Sequence, residues 1–76
     1  MRWHSDPEAG CSYVTEDGLL YYVLSVTFDS GQMRLKYLVL SDEHVEPRHK
    51  KHMMEVGDIG DYVGPTNLKW TDQRVG

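Results

Sequence analysis

Residues 19–40 read LLYYVLSVTF, DSGQ, MRLKYLVL: two apolar runs rich in β-branched and aromatic residues, joined by four turn formers. Such a pattern predicts a β-hairpin. Side chains alternate across a pleated strand, so Leu20, Tyr22, Leu24, Val26 and Phe28 are expected on one side of the first run. Leu19, Tyr21, Val23, Ser25 and Thr27 would lie opposite. In the second run Met33, Leu35, Tyr37 and Val39 share a side, while Arg34 and Lys36 opposite give way to Leu38 and Leu40. A strand that turns apolar on both faces suits a sheet that curls into a barrel or carries a helix. Most of these residues read as core. Tyr13, Tyr21, Tyr22 and Tyr37 also offer rings for an exposed binding face.

Upstream, Cys11 to Thr15 reads as a short strand, and Asp17-Gly18 is a turn signal directly before the first apolar run. Residues 11–40 therefore predict a three-strand meander. Downstream, Pro47 opens a stretch of helix formers up to Met54, which allows one short helix over 47–54. A strand entered from a basic loop is the competing reading of that stretch. Three glycines and a proline then punctuate residues 55–70, as short strands with tight bends require. The eight-residue stretch Val56-Gly57-Asp58-Ile59-Gly60-Asp61-Tyr62-Val63 resembles a turn-and-strand element of SH3-like barrels. That resemblance implies architecture alone.

The expected fold is mostly β: a small antiparallel SH3-like barrel or strongly curled sheet with at most one short helix. An α+β arrangement, an antiparallel sheet with one helix packed on it, is the alternative. With 76 residues the chain reads as one domain. Residues 1–10 are expected as a flexible N-terminal segment and 71–76 as a frayed tail.

The single cysteine, Cys11, rules out an internal disulfide, and with no signal-peptide pattern a reducing cytoplasm is the expected location. The longest apolar run, interrupted by Ser25 and Thr27, falls far short of the ~20 residues that span a bilayer. A formal net charge of -4 argues against a dedicated nucleic-acid binder, which draws most of its affinity from phosphate neutralisation. Small size and acidity also fit a phage or mobile-element product.

The candidate chemistry is sparse. His44, His49 and His52 lie close in sequence and are weak candidates for a metal, but Arg48, Lys50 and Lys51 around them would repel a divalent cation. Arg48, Lys50 and Lys51 themselves form the one basic cluster, and with nearby aromatics they define an alternative function as a nucleic-acid-binding barrel. The acidic run Asp42 to Glu46 beside them favours local pairing instead. Cys11 with any histidine satisfies a nucleophile-and-base list that many unrelated sequences would also satisfy. A chain this short also has little room for a pocket of ~300 Å³ or more. No cofactor is expected, and the chain reads as a non-enzyme.

What remains is recognition through surface aromatics. Trp3, Tyr62 and Trp70 lie in turn-rich or terminal stretches, where no strand core needs them. Tyrosine and tryptophan anchor interfaces because they bury large area at little entropic cost. Trp70 has a second reading, as the plug at one end of a barrel. The leading expectation is a non-catalytic protein-interaction module: a cytoplasmic adaptor, subunit or inhibitor. Hairpin edges would also allow pairing with a second copy, a homodimer.

Overall fold

The computed structural model describes residues 6–50, 54–66 and 70–76. Its elements are β1 (Ser12–Val14), β2 (Leu20–Asp29), β3 (Gln32–Ser41), the single-turn helix α1 (Pro47–Lys50), β4 (Ile59–Pro65) and β5 (Gln73–Arg74). All five strands join one sheet in the order β4-β3-β2-β1-β5, with every neighbouring pair antiparallel. Strands β1 to β4 form a meander. β5 then returns to the free side of β1, which leaves β4 and β5 as the two edges of an open sheet.

The β2–β3 hairpin closes on Ser30 and Gly31, which both have positive φ (50° and 78°). Two consecutive positive φ values define the tight turn whose twist matches that of the flanking strands. Each strand thereby extends one residue further toward the turn than the apolar pattern alone suggests. A second turn, through Gly18 (φ 95°), lies so close to the His44 main chain that a Cβ there would come within 2.9 Å of the His44 carbonyl oxygen.

On β3 the expected inward row of Met33, Leu35, Tyr37 and Val39 is the row that packs; Tyr37 is half-buried and the other three are buried. On β2 the simple alternation fails. Val23 pairs with Tyr37 and Ser25 with Lys36, so Leu24 is an extra residue without a cross-strand partner. A bulge of this kind shifts the parity of everything beyond it. Tyr21 and Val23 therefore share their face with Val26 and Phe28, which pair with Leu35 and Met33. Leu24 is 41 % exposed whereas Val23 is fully buried. A second shift frees Leu40 on β3 in the same way.

The inner face is built from two adjoining clusters. Cys11, Tyr13, Tyr21, Val23 and Leu35 form one, with Val26, Tyr37, Tyr62 and Trp70 against it. Leu19, Val39 and Val45 form the other, and Tyr37 touches both. The tail expected to fray pairs instead: Val14 and Tyr13 face Gln73 and Arg74, and Ser12 accepts a hydrogen bond from the Val75 amide. Near the other terminus Asp6 and Pro7 are buried, and Gly10 donates its amide to the Val23 carbonyl.

Edge strand β4 shows why glycine recurs there. Gly60 and Gly64 face inward opposite Tyr37 and Met33. A Cβ on Gly60 would collide with the Tyr37 ring, and one on Gly64 with the ring of Tyr62. The missing side chains let both rings lie flat across the strand. Gly60→Ala should therefore cost on the order of 1 kcal/mol and turn the Tyr37 ring away. Urea titration and the ring-current shifts of Tyr37 in NMR spectra check this, and unchanged shifts would refute it.

Candidate functional site

The aromatic side chains of the inner face converge at one place. Tyr21 from β2, Tyr37 from β3, Tyr62 from β4 and Trp70 from the segment before β5 surround a cavity of about 170 Å³. Leu19, Leu35 and Thr15 complete its wall, and Asp72 supplies the one carboxylate. Tyr21 and Tyr37 meet edge to face with centroids 5.3 Å apart, and Tyr62 and Trp70 do so at 5.4 Å. Both pairs lie in the range where the positive edge of one ring meets the negative face of the next. Tyr37, Tyr62 and Trp70 are only half-buried, so the cavity opens to solvent.

Hydrogen bonds hold the arrangement. The Tyr21 hydroxyl donates to Asp72 Oδ2 at 2.6 Å, and Trp70 Nε1–H donates to the Tyr21 oxygen at 3.2 Å. Tyr37 donates to the Met54 sulfur at 3.4 Å. Burial, and then the neighbouring Asp72 carboxylate, hold the Tyr21 phenol well above its usual pKa range, with the Trp70 donor opposing weakly. Tyr21 thus stays a neutral donor. Its bond fixes both the Trp70 indole and the carboxylate beside it. A polar depression of about 530 Å³, lined by Glu16, Thr71 and Gln73, adjoins the cavity through the shared Thr15.

Of the residues singled out from sequence, Tyr62 and Trp70 are brought together here. Trp3, Lys51 and His52 lie outside the described residues. The described part of the basic cluster is paired locally: Arg48 Nε contacts Glu46 Oε2 at 2.8 Å and Lys50 Nζ lies 4.0 Å from Asp42 Oδ1. His49 faces Asp17 and His44 faces Glu43, each at 3.7 Å, so the two histidines turn to different carboxylates. Among the described residues no three His, Cys, Asp or Glu side chains converge as metal ligands. Cys11 is buried in the core beside Tyr13 and Tyr21. No helix of the described residues is long and apolar enough to cross a membrane.

The site also contains residues beyond the candidate anchors Trp3, Tyr62 and Trp70. Tyr21 and Tyr37 had a visible signal, as strand tyrosines whose rings could also serve a binding face. Asp72 had none, because its role comes from a contact across 51 positions. In comparisons with known proteins, the chain matches no described family, no curated protein and no solved structure.

Proposed function

We propose that the chain is a non-catalytic protein-interaction module, a small cytoplasmic adaptor, subunit or inhibitor, whose partner anchors in the Tyr21–Tyr37–Tyr62–Trp70 cavity. The observation that carries this reading is the convergence of four rings, three of them half-buried, around a mostly apolar recess with a single carboxylate. A core needs its rings covered; here Tyr37, Tyr62 and Trp70 remain partly open to solvent. Aromatic pockets filled by one partner side chain are the usual centres of binding energy at protein interfaces. The adjoining polar depression offers Thr71 and Gln73 to hydrogen-bond a partner main chain.

The test is affinity capture from host lysate after nuclease treatment, comparing the unmodified chain with Tyr62→Ala and Lys50→Glu. A stoichiometric protein retained by the unmodified chain and by Lys50→Glu, and lost with Tyr62→Ala, is the expected result. Capture that disappears with nuclease and with Lys50→Glu would instead favour nucleic acid bound at the basic cluster. Lys50 and Asp42 are both about a third exposed. Lys50→Glu should therefore change stability by no more than about 1 kcal/mol, which makes it a usable control and is itself checked by urea titration.

A further inference from the structure

We propose that the cavity receives the methylated ammonium head of a lysine side chain on the partner protein. This rests on reading the cavity as the partner anchor, and it names the chemistry of the group that enters. Three features of the recess select such a group. The first is its wall, four electron-rich rings of which Tyr37, Tyr62 and Trp70 are half-buried and within reach of a ligand; the faces of such rings attract a cation through their quadrupoles. The second is Asp72, whose carboxylate stands at the edge of the rings and is held there by the Tyr21 hydroxyl. The third is size. A cavity of roughly 150 Å³ holds benzene, and a trimethylammonium head has fewer heavy atoms than benzene, so it fits within about 170 Å³.

Methylation matters because of what the wall lacks. An unmodified lysine brings three N–H donors with a tight hydration shell, and each donor stripped of water needs an acceptor. The recess offers few acceptors: the Asp72 carboxylate already accepts from Tyr21, the Thr15 hydroxyl from the Leu19 amide and the Tyr21 oxygen from Trp70, and the rest is phenol hydroxyls, ring surface and the apolar side chains of Leu19 and Leu35. Replacing N–H by methyl removes the unmet donors, keeps the charge and fills the space with groups that pack on ring faces. The lysine stem would lie along Leu19 and Thr15, and its main chain would reach the polar depression around Thr71 and Gln73.

The same head occurs on choline lipids, where a phosphate accompanies it. Asp72 in the cavity and Glu16 in the adjoining depression would repel that phosphate. A lysine-bearing partner carries no such penalty. The observations therefore favour a protein.

The test uses the unmodified full chain and three short peptides of identical sequence. One carries trimethyllysine, one unmodified lysine, and one the neutral isostere in which carbon replaces the terminal nitrogen. Binding is measured by calorimetry and by the NMR shift of the Trp70 indole N–H. Trimethyllysine should bind at least about tenfold more tightly than either comparison peptide, since the isostere has the same shape without the charge. Asp72→Asn keeps an acceptor for Tyr21 and should shrink the preference over the isostere several-fold. Equal binding of the isostere overturns the proposal, as does binding to phosphatidylcholine vesicles in place of the peptide. If no peptide binds while lysate capture still depends on Tyr62, the cation assignment fails and the partner-anchor reading survives. If capture is also indifferent to Tyr62, both fail.

Discussion

Leu35→Ala should lower stability by about 2–5 kcal/mol, the range for deleting a buried leucine side chain. Leu35 is 1 % exposed and sits on an interior strand of the sheet, paired with Val26 on one side and Tyr62 on the other. It also belongs to the cavity wall, so its removal merges a new void with an existing one and little can collapse to fill it. A domain of 76 residues has only about 4–11 kcal/mol of stability in total at typical values per residue. The loss is therefore a large fraction of what holds the fold. At about 4–8 °C per kcal/mol for a domain of this size, the midpoint temperature should drop by at least about 8 °C. Urea and thermal unfolding measure both quantities.

Two further substitutions make the same experiment a test of register. Val26→Ala should be clearly destabilising, because the bulge turns Val26 inward onto Leu35. Leu24→Ala should fall within about 0.5 kcal/mol of the unmodified chain, as expected for a largely exposed side chain outside the ladder. Uninterrupted alternation would place Leu24 and Val26 on one face and give the two changes equal cost. Equal losses would remove the bulge from the account.

That contrast also marks where the sequence stops being legible. The hairpin, its turn and the inward row of β3 follow from composition and period, because Arg34 and Lys36 label the other face. β2 carries no such label. From Leu19 to Leu24 both parities are apolar, so an inserted residue leaves no trace in the pattern. β5 is legible for a different reason still less: Gln73 and Arg74 are polar, exposed, and held by main-chain bonds to β1 that no side chain encodes. In the cavity, Tyr62 and Trp70 stood out because turn-rich sequence did not require them. Tyr37 reads as core from its strand position, and only the glycine opposite it, Gly60, lets its ring lie across β4 and form a wall.

The Tyr21–Asp72 bond should make the fold sensitive to alkali. The unfolded chain ionises tyrosine near pH 10, whereas burial and the Asp72 carboxylate hold the folded phenol neutral well beyond that. Above pH 10 the unfolded state therefore binds fewer protons than the folded one. The stability from this group is complete below pH 10 and falls by about 1.4 kcal/mol for each further pH unit, until Tyr21 ionises or the chain unfolds. Tyr21→Phe removes that dependence. At neutral pH the variant should be less stable by about 1–3 kcal/mol, because Asp72 and the Trp70 N–H both lose a partner. The two chains should accordingly differ most at pH 7–9 and converge as pH rises past 10, which urea midpoints at pH 7, 9, 10, 11 and 12 will measure. A constant gap across that series would mean that Tyr21 is not the buried neutral donor described. The same bond orients the indole and the carboxylate of the cavity, so partner binding by Tyr21→Phe should weaken even at neutral pH, where the variant remains folded. Stability and recognition draw here on one hydroxyl group: the pH series reads the first role, and partner binding by the folded variant at neutral pH reads the second.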